Sequence, residues 1–162
     1  MALVDYYKSK SSRDGRVLGL PVEARFEQSS ATLSAGYRAF QSERATLDTL
    51  IGLRRWDIEA QVKTPGLGFG RGIEVDFTDP ILAARTNIRL SDRLSMIGYV
   101  DAGGFGVGSD VTAQALATIN WQMRDKVFLS AGYRHLYVDY DDDGRGVDFS
   151  FSGPLVGLSL QF

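Results

Sequence analysis

Apolar and polar residues alternate one by one along almost the whole chain, and this alternation restricts the fold more than any other feature. In an extended strand, successive side chains point to opposite faces, so a period of two produces one apolar and one polar face. The clearest stretch is 109–123, where one face carries Val111, Ala113, Ala115, Ala117, Ile119, Trp121 and Met123. The pattern predicts an all-β chain with almost no helix.

Polar and glycine-containing stretches divide the alternation into eight segments. We predict strands at roughly 2–11, 20–41, 45–64, 73–91, 93–105, 109–123, 126–141 and 146–162. No linker, charge run or low-complexity segment interrupts the chain, so a single domain over 1–162 is expected. Strands in this close succession predict an antiparallel, up-and-down, eight-stranded β-barrel.

The connections between these strands are expected to differ in length. Short polar turns are predicted at 41–44, 91–93 and 124–126, and longer glycine-containing loops at 12–19, 64–72, 104–109 and 141–146. The two kinds alternate along the chain, so each kind would lie at its own end of the barrel. Such an asymmetry, together with an even strand number, is typical of transmembrane barrels of the bacterial outer membrane.

Composition excludes several classes of function. The net charge is -2 with acids and bases interspersed, which argues against a nucleic-acid surface. The chain has no Cys and one His, so we expect no disulfide, no metal site and no cofactor. The first ten residues lack the pattern of a signal peptide, and no apolar run is long enough for a transmembrane helix. Transmembrane strands need no such run.

Alternation alone does not decide which face of the barrel points inward. A soluble, lipocalin-like carrier would place the apolar face inside, and a membrane barrel would place it outside. Near the short turns the polar face combines glycine with arginine. Glycine leaves room in a narrow lumen that side chains fill. These residues are Gly36, Gly52, Gly132, Gly157, Arg38, Arg54, Arg85 and Arg134. Tyr37, Phe40 and Trp121 lie near the same end, where an aromatic belt is expected. We therefore favour the transmembrane barrel.

The last strand ends in "VGLSLQF". Gly157, Leu160 and Phe162 resemble the signal with which outer-membrane barrels are recognised for assembly. The resemblance implies two partners, the lipid bilayer and the barrel-assembly machinery. It leaves the oligomeric state open.

In five strands the apolar residues change from odd to even positions, or the reverse, partway along. In the third strand, Ile51 and Leu53 are followed by Trp56 and Ile58. A β-bulge in each strand would shift the parity by one residue. Alternatively, the strands continue regularly beyond the bilayer, where water rather than lipid surrounds the barrel. We favour the change of solvent, with Pro80 and Pro154 as candidate bulge positions in two strands.

Charged residues on the polar face form the first candidate site. Asp48, Arg54, Arg85, Asp101 and Arg134 are predicted inside the barrel, where unpaired charges are costly. We expect a structural network of ion pairs. A polar conduction path is the alternative, although side chains fill the interior of eight strands.

Apolar residues beyond the change of parity form the second candidate site. They are expected to converge inside the barrel as Phe26, Trp56, Ile58, Phe77, Leu136, Tyr140, Phe149 and Phe151. They could form a packed core or a pocket for apolar ligands.

Catalytic and metal-binding interpretations are weak. His135 is the one imidazole, and no serine follows it at a spacing typical of lipid hydrolases, so we expect no enzyme and no catalytic residue. The acidic stretch 141–144 lacks the spacing of a calcium loop. The glycine-rich stretches precede no helix, which excludes phosphate-binding loops.

Several stretches resemble a family of uncharacterised proteobacterial outer-membrane β-barrel proteins. They are "DFTDPILAARTNIRLSDRL", "DAGGFGVGSD", "SAGYRHLYVDYDDDG" and "VDFSFSGPLVGLSLQF". Phe77 and Thr78 depart from the family, which often has Trp nearby, and family members usually have a signal peptide and further strands before "LVDYYKS". The resemblance implies the bacterial outer membrane as the location. It implies no established activity.

Taken together, the sequence predicts a structural or passive outer-membrane barrel with a polar lumen filled by side chains. Three alternatives remain. They are a binding or transport protein for small apolar molecules, a narrow porin-like channel, and a soluble lipocalin-like carrier.

Overall fold

A computed structural model describes residues 2–17, 20–64, 69–142 and 145–160. These residues form eight strands: β1 (Ala2–Val17), β2 (Leu20–Gln41), β3 (Ala45–Thr64), β4 (Phe69–Arg89), β5 (Leu94–Gly104), β6 (Val111–Arg124), β7 (Val127–Asp142) and β8 (Arg145–Leu160). Across those ranges, no helix is long and apolar enough to cross a membrane.

All eight strands belong to one antiparallel sheet in the order β1 to β8, and the sheet curls into a half-barrel. Each strand pairs with its neighbours in sequence, so the up-and-down prediction is confirmed. Within the described ranges, no backbone ladder joins β1 to β8. The inward side chains of these two edge strands nevertheless meet, since the rings of Tyr7 and Phe151 lie 6.3 Å apart.

The predicted bounds of three of the longer loops are wrong. The strands extend to Val17 and from Leu20, from Phe69, and to Asp142 and from Arg145. The connection 105–110 keeps about its predicted length, and the connections at the other end of the sheet are 42–44, 90–93 and 125–126. Strand pairing continues far into the stretches predicted as loops, up to Val17 opposite Leu20 and Asp142 opposite Arg145. Continued pairing satisfies the backbone N–H and C=O groups that a loop would expose.

The strands of the sheet differ in length, and the extra length of the long strands lies at one end. We call the end with connections 42–44, 90–93 and 125–126 the lower end, and the opposite end the upper end. β5 has 11 residues, whereas β2, β3 and β4 have 22, 20 and 21. The long strands therefore extend upward past the top of the β5–β6 hairpin, and this divides the molecule into a lower and an upper half.

Side chains keep the same parity through both halves. In β3, Arg54, Trp56 and Ile58 are all buried, and the residues between them are exposed. The ladders shift register between Arg38 and Phe40 and between Gln122 and Arg124, both near the lower end. Pairing runs without a shift through Pro80 and Pro154, so the expectation of bulges at these prolines is wrong. The backbone stays regular at these points. The apolar residues therefore lie on the outer face in the lower half and on the inner face in the upper half.

The two halves therefore have opposite polarity. In the lower half, apolar side chains face outward and are exposed, as at Leu33, Ile119 and Leu158. In the upper half, apolar side chains face inward and charged ones outward, as Trp56 and Asp57 show for neighbouring residues. Leu116, an apolar residue on the inward face of β6, packs against a small lower cluster of Leu50, Ala83 and Tyr99.

Inward-facing glycines allow the sheet to curl tightly. A Cβ at Gly132 would overlap the carbonyl oxygen of Ala117 and lie 2.8 Å from the Cα of Thr118. A Cβ at Gly36 would lie 2.5 Å from the carbonyl oxygen of Thr49. At Gly153, by contrast, a Cβ would meet nothing within 4 Å. The absence of a side chain matters at some of these positions and not at others.

Replacing Gly132 by Ala should therefore destabilise the fold by about 1–3 kcal/mol, because the backbone of β6 would have to move. Gly153→Ala is the matched control and should change stability little. Denaturant unfolding followed by circular dichroism measures both. Equal stability of the two variants would contradict the predicted crowding at Gly132.

Candidate functional site

The interior of the lower half is centred on a buried ion pair. Arg54 Nη1 and Nη2 donate hydrogen bonds to Asp101 Oδ1 and Oδ2 over 2.9 and 2.5 Å. The side chains of Arg54 and Asp101 are 1% and 0% exposed. Arg54 Nε also donates to Thr32, and Gln114 donates to Asp101. A two-pronged pair with further hydrogen bonds is the arrangement in which a buried charge is tolerated.

A second group of charges lies below this pair. Asp48 is 1% exposed and accepts a hydrogen bond of 2.9 Å from Arg38 Nε. Arg85 Nη1 lies 3.9 Å from the other carboxylate oxygen of Asp48, which is beyond hydrogen-bonding distance. Asp48 therefore has two cationic neighbours, of which Arg38 is the closely bonded one.

Arg134 lies at a third position in the interior. Its guanidinium carbon lies 4.4 Å from the centre of the Tyr7 ring, a cation–π geometry. Its Nη2 lies 3.8 Å from Asp5 Oδ2, and its buried Nε has no hydrogen-bond partner among the described residues. Arg134 is thus near one carboxylate without donating to it.

The structure places all five residues predicted for the charge network inside the half-barrel, in three groups. Sequence reasoning did not assign the partners Asp5, Arg38, Thr32 and Gln114. Each of them lies at an inward-facing position of its strand, so the alternation in the sequence could have identified it as an interior residue. Which of them pair depends on strand order and stagger, and the sequence does not specify the stagger.

A fourth buried polar group was missed altogether. Asp79 is 0% exposed and accepts three hydrogen bonds, from Ser109 N at 2.8 Å, Ser109 Oγ at 3.0 Å and Trp56 Nε1 at 3.0 Å. Ser109 belongs to the loop 105–110. These bonds hold the loop on β4, above the point where β5 ends.

Backbone conformation in this loop also restricts the sequence. Gly104, Phe105 and Gly106 have φ values of 88°, 53° and 73°. Positive φ is unusual for Phe, and the side chain of Phe105 is more than half exposed. A Cβ at Gly108 would lie 2.5 Å from the carbonyl oxygen of Thr78. The stretch "GGFGVGS" thus has glycines where the turn and its close contact with β4 need them.

Most residues of the second candidate site pack together in the upper half. Trp56, Ile58, Phe77 and Leu136 are buried in one cluster with Val75 and Val138, and Phe26, Tyr140 and Phe149 pack against it. The rings of Phe77 and Tyr140 stack at 4.6 Å, which joins β4 to β7. Phe151 lies apart from this cluster, next to Tyr7.

His135 faces outward and is exposed, with its Nδ1 2.6 Å from Ser152 Oγ. Within the described ranges, no hydrogen bond or ion pair joins His135 to a carboxylate, and a catalytic triad would require one. Asp141 is exposed, and residues 143–144 lie outside the described residues. No group of three potential metal ligands occurs in the part that the structure describes. The absence of enzymatic activity stays a prediction.

Ion pairs on the outer face of the upper half are exposed to water. Lys10 Nζ lies 2.6 Å from Glu27 Oε2, and this hydrogen bond lowers the pKa of Glu27. Such exposed pairs contribute little to stability.

Asp79→Ala should destabilise the fold by roughly 3 kcal/mol, because Trp56 Nε1 and the Ser109 backbone N–H would be buried without an acceptor. Asp76→Ala is the matched control, since Asp76 is exposed three residues before Asp79 on β4. Urea unfolding followed by Trp fluorescence measures both. If the two variants unfold at the same urea concentration, Asp79 does not hold the loop.

Comparison with models of known families, with characterised proteins and with solved structures found no match in any of the three. The resemblance to outer-membrane barrel proteins therefore stays an expectation from the sequence.

Proposed function

We propose that the chain is a bacterial outer-membrane β-barrel protein whose lower half lies in the bilayer. The observation that carries the proposal is the opposite polarity of the two halves on the outer face. The lower half exposes large apolar side chains on neighbouring strands, including Leu33, Tyr37, Ile51, Leu53, Leu82, Val100, Tyr133, Val156 and Leu158. In water such a continuous apolar surface would be costly, whereas in lipid it is the expected surface.

The height of this apolar surface supports the same interpretation. β5 spans the lower half with 11 residues, and a transmembrane strand needs about 9–11. Above this height the outer face carries Arg55, Asp57 and Asp76, all exposed. A bilayer around the lower half would end where these charges begin.

A passive or structural role fits the interior better than conduction does. The Arg54–Asp101 pair crosses the lower interior, and the cluster around Trp56 packs the upper interior. Ions would have to displace both. A narrow porin-like channel is thus less well supported.

The other two alternatives also have less support. In the upper half, Trp56 and Val138 are 0% exposed, as in a packed core, and an apolar ligand would have to separate these side chains. A soluble lipocalin-like carrier would bury its apolar face throughout. Here the lower interior is polar, and apolar residues cover the outside.

The C-terminal strand is proposed to contact the barrel-assembly machinery. Val156 and Leu158 face outward on β8 and are strongly exposed. Of the expected assembly signal, Gly157 and Leu160 pair with Ser130 and Val127 on β7, and Phe162 lies outside the described residues. The oligomeric state stays open.

Membrane insertion is tested by refolding the chain with liposomes and separating bound from free protein by flotation. We expect flotation with the vesicles and slower gel migration after boiling, as for a folded barrel that resists detergent. Planar bilayers should show no conductance steps. Protein that remains in the aqueous fraction and migrates equally before and after boiling would contradict the proposal.

Ile51→Arg should reduce insertion, because an arginine near the bilayer centre costs about 2–4 kcal/mol. Asp57→Arg is the matched control on the same outward face of β3, above the proposed bilayer, and should insert normally. Quantitative flotation compares the two. Equal insertion would show that Ile51 is not in hydrocarbon.

A further inference from the structure

In the upper half, β4 has a free edge. Its ladder with β5 runs only from Ile81 to Arg89, whereas its ladder with β3 continues up to Phe69. Among the described residues, no strand pairs with β4 above Ile81 on the β5 side, because β5 ends at Gly104. A free edge presents unpaired backbone N–H and C=O groups and can accept a further strand.

The even-numbered residues of β4 direct their backbone groups toward this edge. Arg89 donates its N–H to the β3 side, and Leu90 donates its N–H to the β5 side. This direction alternates along an antiparallel strand, and the pairing of β4 with β3 has no shift that would interrupt the alternation. The residues whose N–H and C=O groups point into the gap above β5 are therefore Gly72, Glu74 and Asp76.

The loop 105–110 covers this edge only at its lower end. A Cβ at Gly108 would lie 2.5 Å from the carbonyl oxygen of Thr78, so the loop lies against the edge there. The stretch 72–77 above it has no proline, no register shift and no inward-facing charge. Those are features with which proteins commonly block a free edge. The edge is therefore regular and open.

On its inward face, the edge exposes apolar surface. Ile73 has the same parity as Val75 and Phe77, which are buried, yet Ile73 is 45% exposed. Among the described residues, no strand lies beside Ile73 on the β5 side. An apolar side chain on an added strand would remove this surface from water, which is favourable.

On its outward face, the edge is acidic. Glu74 lies directly opposite Glu59 on β3, and like charges at such positions are destabilising. No ion pair joins Glu74 to a described cation, whereas Asp76 has one exposed partner on β3. A cleft of about 430 Å³ adjoins the lower end of the edge; Asp110 and Asp141 line it, and no described Lys or Arg does. A cation on an added strand would be attracted here.

We propose that the upper edge of β4 binds an extended peptide segment of a partner protein, with Lys or Arg at every second position and apolar residues between them. The segment lies antiparallel to β4 and continues the line of β5 upward. Its basic side chains lie beside Glu74 and Asp76, and its apolar side chains lie beside Ile73 and Val75. This interaction goes beyond the proposed role in the membrane.

A second copy of the chain fits this edge less well. Two copies inserted in the same direction would align β4 parallel to β4 of the other copy. They would also bring together their rows of Glu74 and Asp76, which repel each other.

The probe is a blocked octapeptide in which lysine alternates with valine, added to the full chain refolded in non-ionic detergent. Fluorescence anisotropy should show binding, and hydrogen exchange followed by NMR should slow at the amides of Gly72, Glu74 and Asp76. The amides of Ile73 and Val75, which point toward β3, should not change. A peptide of the same composition with all lysines before all valines should bind about tenfold more weakly, because its charged and apolar side chains cannot each meet their own face.

Variants of the edge separate hydrogen bonding from charge. Glu74→Pro removes an N–H at the free edge, leaves the ladder with β3 intact and should abolish binding. Glu74→Gln keeps that N–H and should only weaken binding. Asp92→Asn makes the same change of charge in the connection 90–93 at the lower end, and should bind as wild type does. Circular dichroism checks that each variant is folded.

Three results would overturn the proposal. The first is no binding of the alternating peptide to wild type. The second is equal binding of the two peptides, which would show attraction by charge alone. The third is protection of the Gly72, Glu74 and Asp76 amides without peptide that increases with protein concentration, because a second copy would then cover the edge.

Discussion

The regular two-residue period of the strands is the constraint on which the rest of the structure depends. Because pairing shifts register only near the lower end, each strand has one inward face through both halves. The side chains on that face change from polar to apolar at nearly the same height on several strands. The backbone is therefore uniform, and the two halves differ in which of their faces is apolar.

Trp56 connects the two zones of the interior. Its indole N–H donates to Asp79, which holds the loop 105–110, and its ring belongs to the upper apolar cluster. The guanidinium carbon of Arg54 lies 5.6 Å from the centre of the same ring. The buried ion pair below and the apolar cluster above thus meet at one residue. Replacing such an ion pair by apolar residues is often neutral in stability, so the pair is better understood as fixing the arrangement of strands.

The sequence predicted those features that depend on local periodicity. The bounds of β2 and β3 agree with the prediction, and Leu33, Ile119 and Leu158 point outward as expected. It failed for 12–17 and 69–72, because glycine and charged residues are typical of loops when no pairing partner is considered. The Asp79–Ser109 contact was not predicted, since the two residues are 30 apart and meet only where β5 ends short of β4. That no ladder joins β1 to β8 among the described residues also depends on the curvature of the whole sheet.

The most direct test of the change of surroundings is a spin-label scan along the outward face of β3 in lipid vesicles. Labels at Ile51 and Leu53 should be accessible to oxygen, which concentrates in hydrocarbon, and protected from a water-soluble nickel chelate. Labels at Asp57 and Glu59 should show the reverse, with the exchange near Arg55. If all of these positions are equally accessible to the nickel chelate, the lower half is not surrounded by lipid.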